Sequence, residues 1–280
     1  MTTQQLLIIG QGDIGLPVTN MLAQDNFSVT GLARSERSQY DLDDKAKFMQ
    51  ADALKLNAEQ LQNFTRIAII ITPDEYSTSG YNDSYLSICQ HLATLANKLT
   101  NLERVIFISS TGIYGQDNGE WIDTDTASVT PERDASKVIL QAEQALQKGF
   151  GDKAIIIRPS GIYGRERLMR LRKAKESHKD PIAAEEWTNR IMDTDLVTII
   201  TKVLTMDRPK SIYIATDYLP VTSLELTTWL SKQVEEELPE VDSEKNSVTG
   251  KRLHSNIPLA WLKFPDWKAG YHDILQHQDS

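Results

Sequence analysis

A doubly wound, parallel α/β sheet is the fold this sequence predicts, and three observations predict it. A short apolar run at residues 6–9 leads without a break into Gly10-x-Gly12-x-x-Gly15. Further strand-like runs follow at 27–33, 47–51, 66–71, 104–108, 153–157 and 211–215, several of them apolar without alternation, as strands buried on both faces require. Helical stretches such as 81–99 and 135–148 lie between them. Alternating β and α at this spacing gives a parallel sheet joined by right-handed crossovers.

The first element is the most informative. Strand, tight turn and helix follow one another, with Ile14, Val18, Met21 and Leu22 supplying the helical period. Gly10 permits the turn, Gly12 lets a pyrophosphate approach the backbone, and Gly15 lets helix and strand pack closely. The N–H groups around Asp13 and Ile14 then point at the phosphates from the positive end of the helix. One GxGxxG is a weak signal, but one that opens a βαβ unit predicts a Rossmann-type dinucleotide site.

Composition narrows the class. The chain has 280 residues, enough to bury one large core or two modest ones. Its formal net charge of −9 argues against non-specific nucleic-acid binding, which needs cations to displace counterions. A single cysteine, Cys89, rules out an internal disulfide and fits a reducing, cytoplasmic location. It lies among Leu86, Ile88 and Leu92 and reads as a packing residue. No basic stretch followed by a hydrophobic core, and no membrane-length apolar run, is present, so no membrane association is expected. The five histidines show no ligand spacing, and no metal is expected.

The end of the second strand selects the nucleotide. An NAD-binding version carries an acid there to hold the ribose hydroxyls. This chain has Arg34 and Ser35 instead, with Arg37 close behind. A guanidinium at that point can grip a 2′-phosphate bidentately, so NADP(H) is expected over NAD(H). The alternative is a solvated charge at a strand end. Asp52, after the third strand, is either an adenine contact or a local N-cap, and Thr72 after the fourth completes the expected cofactor set.

Residues 1–160 are expected to form the cofactor-binding core. Residues 161–280 then form a substrate-side region that returns one strand, near 211–215, to the sheet.

The fifth strand ends in Ser109-Ser110-Thr111-Gly112-Ile113-Tyr114-Gly115. Ser136-Lys137 opens a helix containing Ala142-Glu143, and then come Arg158-Pro-Ser-Gly-Ile-Tyr163-Gly164-Arg165 and Asn189-Arg190-Ile-Met-Asp193-Thr-Asp195. Gly250-Lys-Arg252 with Ser255-Asn256 closes the series. With the glycine turn, these ordered motifs resemble the short-chain dehydrogenase/reductase superfamily over nearly the whole chain. The nearest likeness is to its extended, atypical, epimerase/dehydratase-like branch.

The resemblance implies that Ser110 orients a substrate oxygen and that Lys137 holds the nicotinamide ribose. The family's proton-transferring tyrosine precedes that lysine by four residues, and here the position is Arg133. A guanidinium stays protonated and only donates, so the usual tyrosine mechanism does not carry over. Arg133 is either a binder of substrate negative charge or a water-facing residue at a helix start. Thr111, Tyr163, Arg165 and Arg190 are the expected substrate-side residues, although Tyr114 and Tyr163 also read as packing. The basic run from Arg165 to Glu176 is either an anion-attracting mouth or a solvated amphipathic helix with Leu168 and Leu171 inward. Phe264-Pro-Asp-Trp267 reads as a structural clasp.

Two functions follow. One is an NADP(H)-dependent oxidoreductase or epimerase/dehydratase-like enzyme acting on a small polar substrate, sugar-derived or anionic. The other is an NADP(H)-binding sensor without turnover. Family likeness also suggests a homodimer formed through the helices at 81–99 and 135–148.

Overall fold

Parallel strands with nearly all-apolar sequences need cover on both faces, and the chain builds one such sheet. The structure, a computed structural model, describes residues 4–36, 41–175 and 181–277. The sheet strands are β1 (Gln5–Ile9), β2 (Ser28–Ala33), β3 (Lys47–Gln50), β4 (Arg66–Ile69), β5 (Arg104–Ile108), β6 (Ala154–Pro159) and β7 (Ile212–Ala215). They lie in the order β7-β6-β5-β4-β1-β2-β3, and every pairing from β3 through to β6 is parallel. This is the doubly wound Rossmann order, with its direction reversing between β1 and β4. The seven expected runs are all strands, with ends that differ by one or two residues. The fourth run stops as a strand at Ile69, although Ile70 N still donates to Ile9 O at 2.8 Å.

The described chain divides into two compact units. The first comprises Met1–Ile113, Thr130–Arg158 and Val197–Tyr213, and the second Tyr114–Val129, Pro159–Leu196 and Ile214–Ser280.

In the first unit, the expected helix at 81–99 is a helical run built from Thr78–Tyr81, a π turn at Asn82–Leu86, Ser87–Leu95 and a 3-10 turn at Ala96–Lys98. It packs on the helix Asp134–Phe150, where a side-chain carbon on Gly149 would lie 2.6 Å from that of Ala93. Cys89 is fully buried on this run, and burial pushes its thiol well above the ordinary range. It is a packing residue, as its neighbours in the sequence predict.

Two arginines at strand starts bury their heads in the same unit. Arg66 Nη1 donates to Leu204 O at 2.5 Å. Arg104 donates to Val203 O at 2.5 Å, Leu204 O at 2.9 Å and Met206 O at 2.9 Å. Together they satisfy the last carbonyls of the helix Asp193–Thr205, where the helix dipole favours cations. Burial, with Arg66 adding repulsion, lowers the Arg104 guanidinium to about 10.

The second unit has its own apolar cluster, in which Leu226, Leu230, Phe264, Trp267, Tyr163 and Tyr271 are buried. The predicted clasp is part of it. Asp195 accepts from Lys263 N at 2.8 Å and Phe264 N at 3.0 Å, and Asp266 caps the helix Trp267–Gln276 through Ala269 N at 2.9 Å. Among the described residues, no helix is long and apolar enough to cross a membrane.

Candidate dinucleotide site

The glycine turn lies at the C-terminal end of β1, beside the point where strand order reverses. Its glycines differ in what surrounds them. Gly10 has φ +96°, and a side-chain carbon there would sit 2.0 Å from Ile70 O. On Gly15 it would sit 1.9 Å from Gly10 O. Both positions exclude a side chain by contact with the protein itself. Gly12 is exposed, and a carbon added there would meet nothing within 4 Å. Protein packing therefore does not demand a glycine at 12, and the space over it is open.

The helix after the turn, Gly15–Gln24, has Ile14 at its N-cap with no side-chain cap, and Pro17 in its first turn has no N–H to satisfy. The cap thus supplies no side-chain acceptor to the leading N–H groups, of which Leu16 N donates to Gly12 O at 3.0 Å. Ile14 is 7 % exposed and anchors the turn, while Asp13 is exposed. The residues present fit a dinucleotide pyrophosphate on these grounds: an open face over Gly12 and an uncapped helix start at a topological switch point.

At the end of β2, the exposed Arg34 makes a bidentate pair with Asp74, with Nη1 to Oδ2 at 2.8 Å and Nη2 to Oδ1 at 2.5 Å. The paired guanidinium holds the Asp74 carboxyl below its usual range. Asp74 was not foreseen, since nothing in the sequence near Thr72 marks it as the partner of a residue 40 positions away. Asp52 accepts from Leu54 N at 3.0 Å and so takes the N-cap role, capping the turn Ala53–Lys55. Ser35 and Thr72 are exposed beyond the ends of β2 and β4, the two strands that flank β1. Arg37 lies outside the described residues.

Beyond β5, Ser110 Oγ accepts from Gly112 N at 3.0 Å. A carbon on Gly112 would lie 3.2 Å from both Ser110 Oγ and Ser136 Oγ, so these two hydroxyls flank one small space. Thr111 is 9 % exposed at the start of a short turn. Arg133 stands exposed at the N-cap of Asp134–Phe150, and its side chain has no partner among the described residues. Lys137 Nζ donates to Asp134 Oδ1 at 2.8 Å across one helical turn.

A buried ionic cluster supports this strand end. Glu143 is 1 % exposed and accepts from Arg158 Nε at 3.0 Å and Nη2 at 2.7 Å. It also accepts a short bond from Ser109 Oγ. The cluster ties β5, the helix and β6 together immediately before Ser110. Its signal was an acid, Glu143, on a helix face otherwise made of Val138, Ile139, Ala142 and Leu146.

The remaining expected residues belong to the second unit. Tyr163 is 3 % exposed and stacks on Tyr271 at 4.6 Å, so its ring is core, and burial raises its phenol well above the usual range. Gly270 makes room for its hydroxyl, which a side-chain carbon there would meet at 1.9 Å. Arg165 pairs with Asp273 at 3.1 Å. Arg190 is buried, donating to Asn189 O at 2.8 Å and Thr188 Oγ1 at 3.2 Å. Of the basic run, residues through Lys175 are described, and its helix Met169–Lys175 turns Leu171 inward, while Glu176 lies outside the described residues. Among the described residues, no cluster of three or more His, Cys, Asp or Glu suits a metal ion.

Residues 6–213 match the NAD dependent epimerase/dehydratase family. A protein of Methylobacillus flagellatus with a provisional NAD-dependent epimerase/dehydratase assignment is 28 % identical, with a TM-score of 0.79 over 99 % of this chain and 100 % of that one. UDP-glucuronic acid 4-epimerase from Bacillus cereus, solved with NAD, is 16 % identical at a TM-score of 0.73, covering 98 % of this chain and 99 % of its own. The Bordetella bronchiseptica enzyme WbmG, solved with NAD and UDP, is 14 % identical at 0.74, covering 98 % and 94 %. The last two likenesses concern the fold alone. A search of curated proteins gave no match.

Proposed function

The chain belongs to the NAD dependent epimerase/dehydratase family, and from that premise we propose that it is an NADP(H)-dependent oxidoreductase or epimerase/dehydratase-like enzyme acting on a small polar, sugar-derived or anionic substrate. The open face over Gly12, beside an uncapped helix start, carries the reading. A nicotinamide bound there supplies the hydride donor or acceptor.

The chain's own residues supply binding and orientation. Gly12 and the N–H groups after it hold the pyrophosphate. Arg34 grips the 2′-phosphate once its fork turns from Asp74, so the phosphate is expected to add less affinity than a free guanidinium would give it. Ser110 Oγ donates to the reacting oxygen of the substrate. Lys137 exchanges Asp134 for the ribose hydroxyls, and Arg133 draws in negative charge without moving a proton.

A second reading is favoured by Arg133 itself. With a permanent cation in the proton-transfer position and Lys137 engaged by Asp134, the chain binds NADP(H) as a sensor and turns nothing over.

Calorimetric titration of NADPH, NADP⁺, NADH and NAD⁺ tests both. Wild type is expected to bind the phosphorylated pair more tightly. Gly12→Val is expected to weaken binding by at least about tenfold, or ~1.4 kcal/mol, at unchanged melting temperature. Arg34→Ala is expected to erase the preference for the 2′-phosphate alone. No binding of any of the four would overturn both readings, and turnover lost in Ser110→Ala selects the enzyme over the sensor.

A further inference from the structure

The end of β2 carries a cation where an NAD-binding chain has an acid, and the fold brings an acid back to that point. β2 ends at Ala33 and β4 at Ile69, each parallel to β1 and paired with it from opposite sides. The segments that follow them therefore leave from the same edge of the sheet as the glycine turn. Arg34 opens the first segment, Asp74 lies in the second, and their bidentate pair at 2.8 and 2.5 Å joins the two.

The fold places each partner separately. Gln50 Nε2 donates to Arg34 O at 3.2 Å and Ala51 N to Ala33 O at 3.0 Å, so β3 holds the backbone from which the guanidinium extends. Pro73, next to Asp74, is buried, and its ring fixes φ there. Both charged side chains stay open to water, at 66 % and 68 % exposure. A pair this exposed is weakly held, and a ligand that offers either partner a better contact can part it.

The two groups recognise different ribose substituents. A carboxylate only accepts, so it takes a hydroxyl and repels a phosphate. A guanidinium only donates, and its fork matches a phosphate. Asp52 lies within electrostatic reach of Arg34 as well, so this cation feels two carboxylates. Such surroundings favour a 2′-phosphate less than an isolated arginine would.

We infer that Asp74 is a specificity-determining residue through which the chain accepts both NAD(H) and NADP(H). The inference rests on the dinucleotide reading above and refines it. With a 2′-hydroxyl, the pair stays closed and Asp74 accepts a hydrogen bond from the ribose. With a 2′-phosphate, the pair opens and Arg34 turns to the ligand. The phosphate gains a guanidinium but must displace a carboxylate to reach it, so discrimination between the two dinucleotides stays small.

The test is calorimetric titration of the full chain with NADPH and with NADH, for wild type, Asp74→Ala, Asp74→Asn and Arg34→Ala. Asp74→Ala is expected to bind NADPH about threefold more tightly and NADH about threefold more weakly, the scale of an exposed pair. Asp74→Asn removes the charge but keeps an acceptor, so NADPH gains by a similar factor while NADH stays within about twofold of wild type. The melting temperature of the nucleotide-free chain is expected to be unchanged in both variants, because the pair is exposed. A merely structural role for Asp74 would move both affinities in one direction, and that result would overturn the inference. So would affinities untouched by Asp74→Ala, or a wild-type preference for NADPH above about a hundredfold, more than a competing exposed carboxylate allows. In each of these cases the dinucleotide reading stands if Arg34→Ala still weakens NADPH. No binding of either dinucleotide to wild type overturns that reading and this inference together.

Discussion

Replacing Glu143 by leucine isolates the energetics of the cluster beneath Ser110. In the native chain its carboxylate is 1 % exposed and takes two bonds from Arg158, at 3.0 and 2.7 Å, plus one from Ser109. Removing it leaves the Arg158 guanidinium, 8 % exposed, as a buried charge with its carboxylate gone. Breaking a buried pair from one side costs about 3–5 kcal/mol, much more than the pair contributes net. At about 2 °C per kcal/mol, the low end for large domains, the melting temperature falls by roughly 6–10 °C. The double variant Glu143→Leu/Arg158→Met removes both charges and is expected to recover most of that loss, because an apolar replacement is often neutral or better. Thermal unfolding followed by circular dichroism and by tryptophan fluorescence measures all three chains. A single variant that loses under about 1 kcal/mol, or a double variant no better than the single, would refute the claim that an uncompensated charge is the cause.

Three other substitutions separate mechanisms elsewhere. Asp217 is 2 % exposed, and burial, opposed in part by Leu219 N and Arg190, raises its carboxyl to about 8. Its unfolded value is about 3.9, so between about pH 4 and pH 8 the folded chain keeps a proton that the unfolded chain has lost. Stability therefore falls as pH rises through that window and stops falling above it. Asp217→Asn is expected to match wild type near pH 4 and to melt higher at pH 8, while an equal gap at both pH values would exclude titration of Asp217. Gly15→Ala drives a carbon to 1.9 Å from Gly10 O and is expected to destabilise the fold by about 2 kcal/mol or more. Gly12→Ala, with nothing in its way, is expected to change stability by under about 1 kcal/mol. Urea midpoints for the two variants make the comparison, and equal losses would contradict the division of roles within the turn.

What was legible in the sequence was whatever local pattern dictates. Apolar runs such as 104–108 have no other way to be buried than as interior parallel strands, and a glycine triplet after such a run has few other uses. Helix ends were less legible, because the π turn at Asn82–Leu86 depends on packing that no single residue announces. Side-chain partners at long separation were legible least. Arg34 could be placed at a strand end, but its partner Asp74 could not be chosen from the many acids of an acidic chain. Arg66 and Arg104 opened strand-like runs as ordinary charges, yet they cap a helix at Leu204, 138 and 100 residues later. The lone Glu143 on an apolar face was visible, and only the fold shows that Arg158 and Ser109 meet it.

The position of β1 bears on how the chain is made. It lies between β2 and β4, so the first of the seven strands in chain order becomes an interior strand of the sheet. Leu6, Leu7, Ile8 and Ile9 are buried almost completely, yet one edge of that strand has no partner until the region of Thr65, 60 residues on, has been made. A nascent chain halted before that point presents an apolar strand with an open edge to whatever surrounds it. Translation speed over residues 10–70, and access of a chaperone to that interval, should therefore govern the yield of folded protein more than the stability of the finished sheet does.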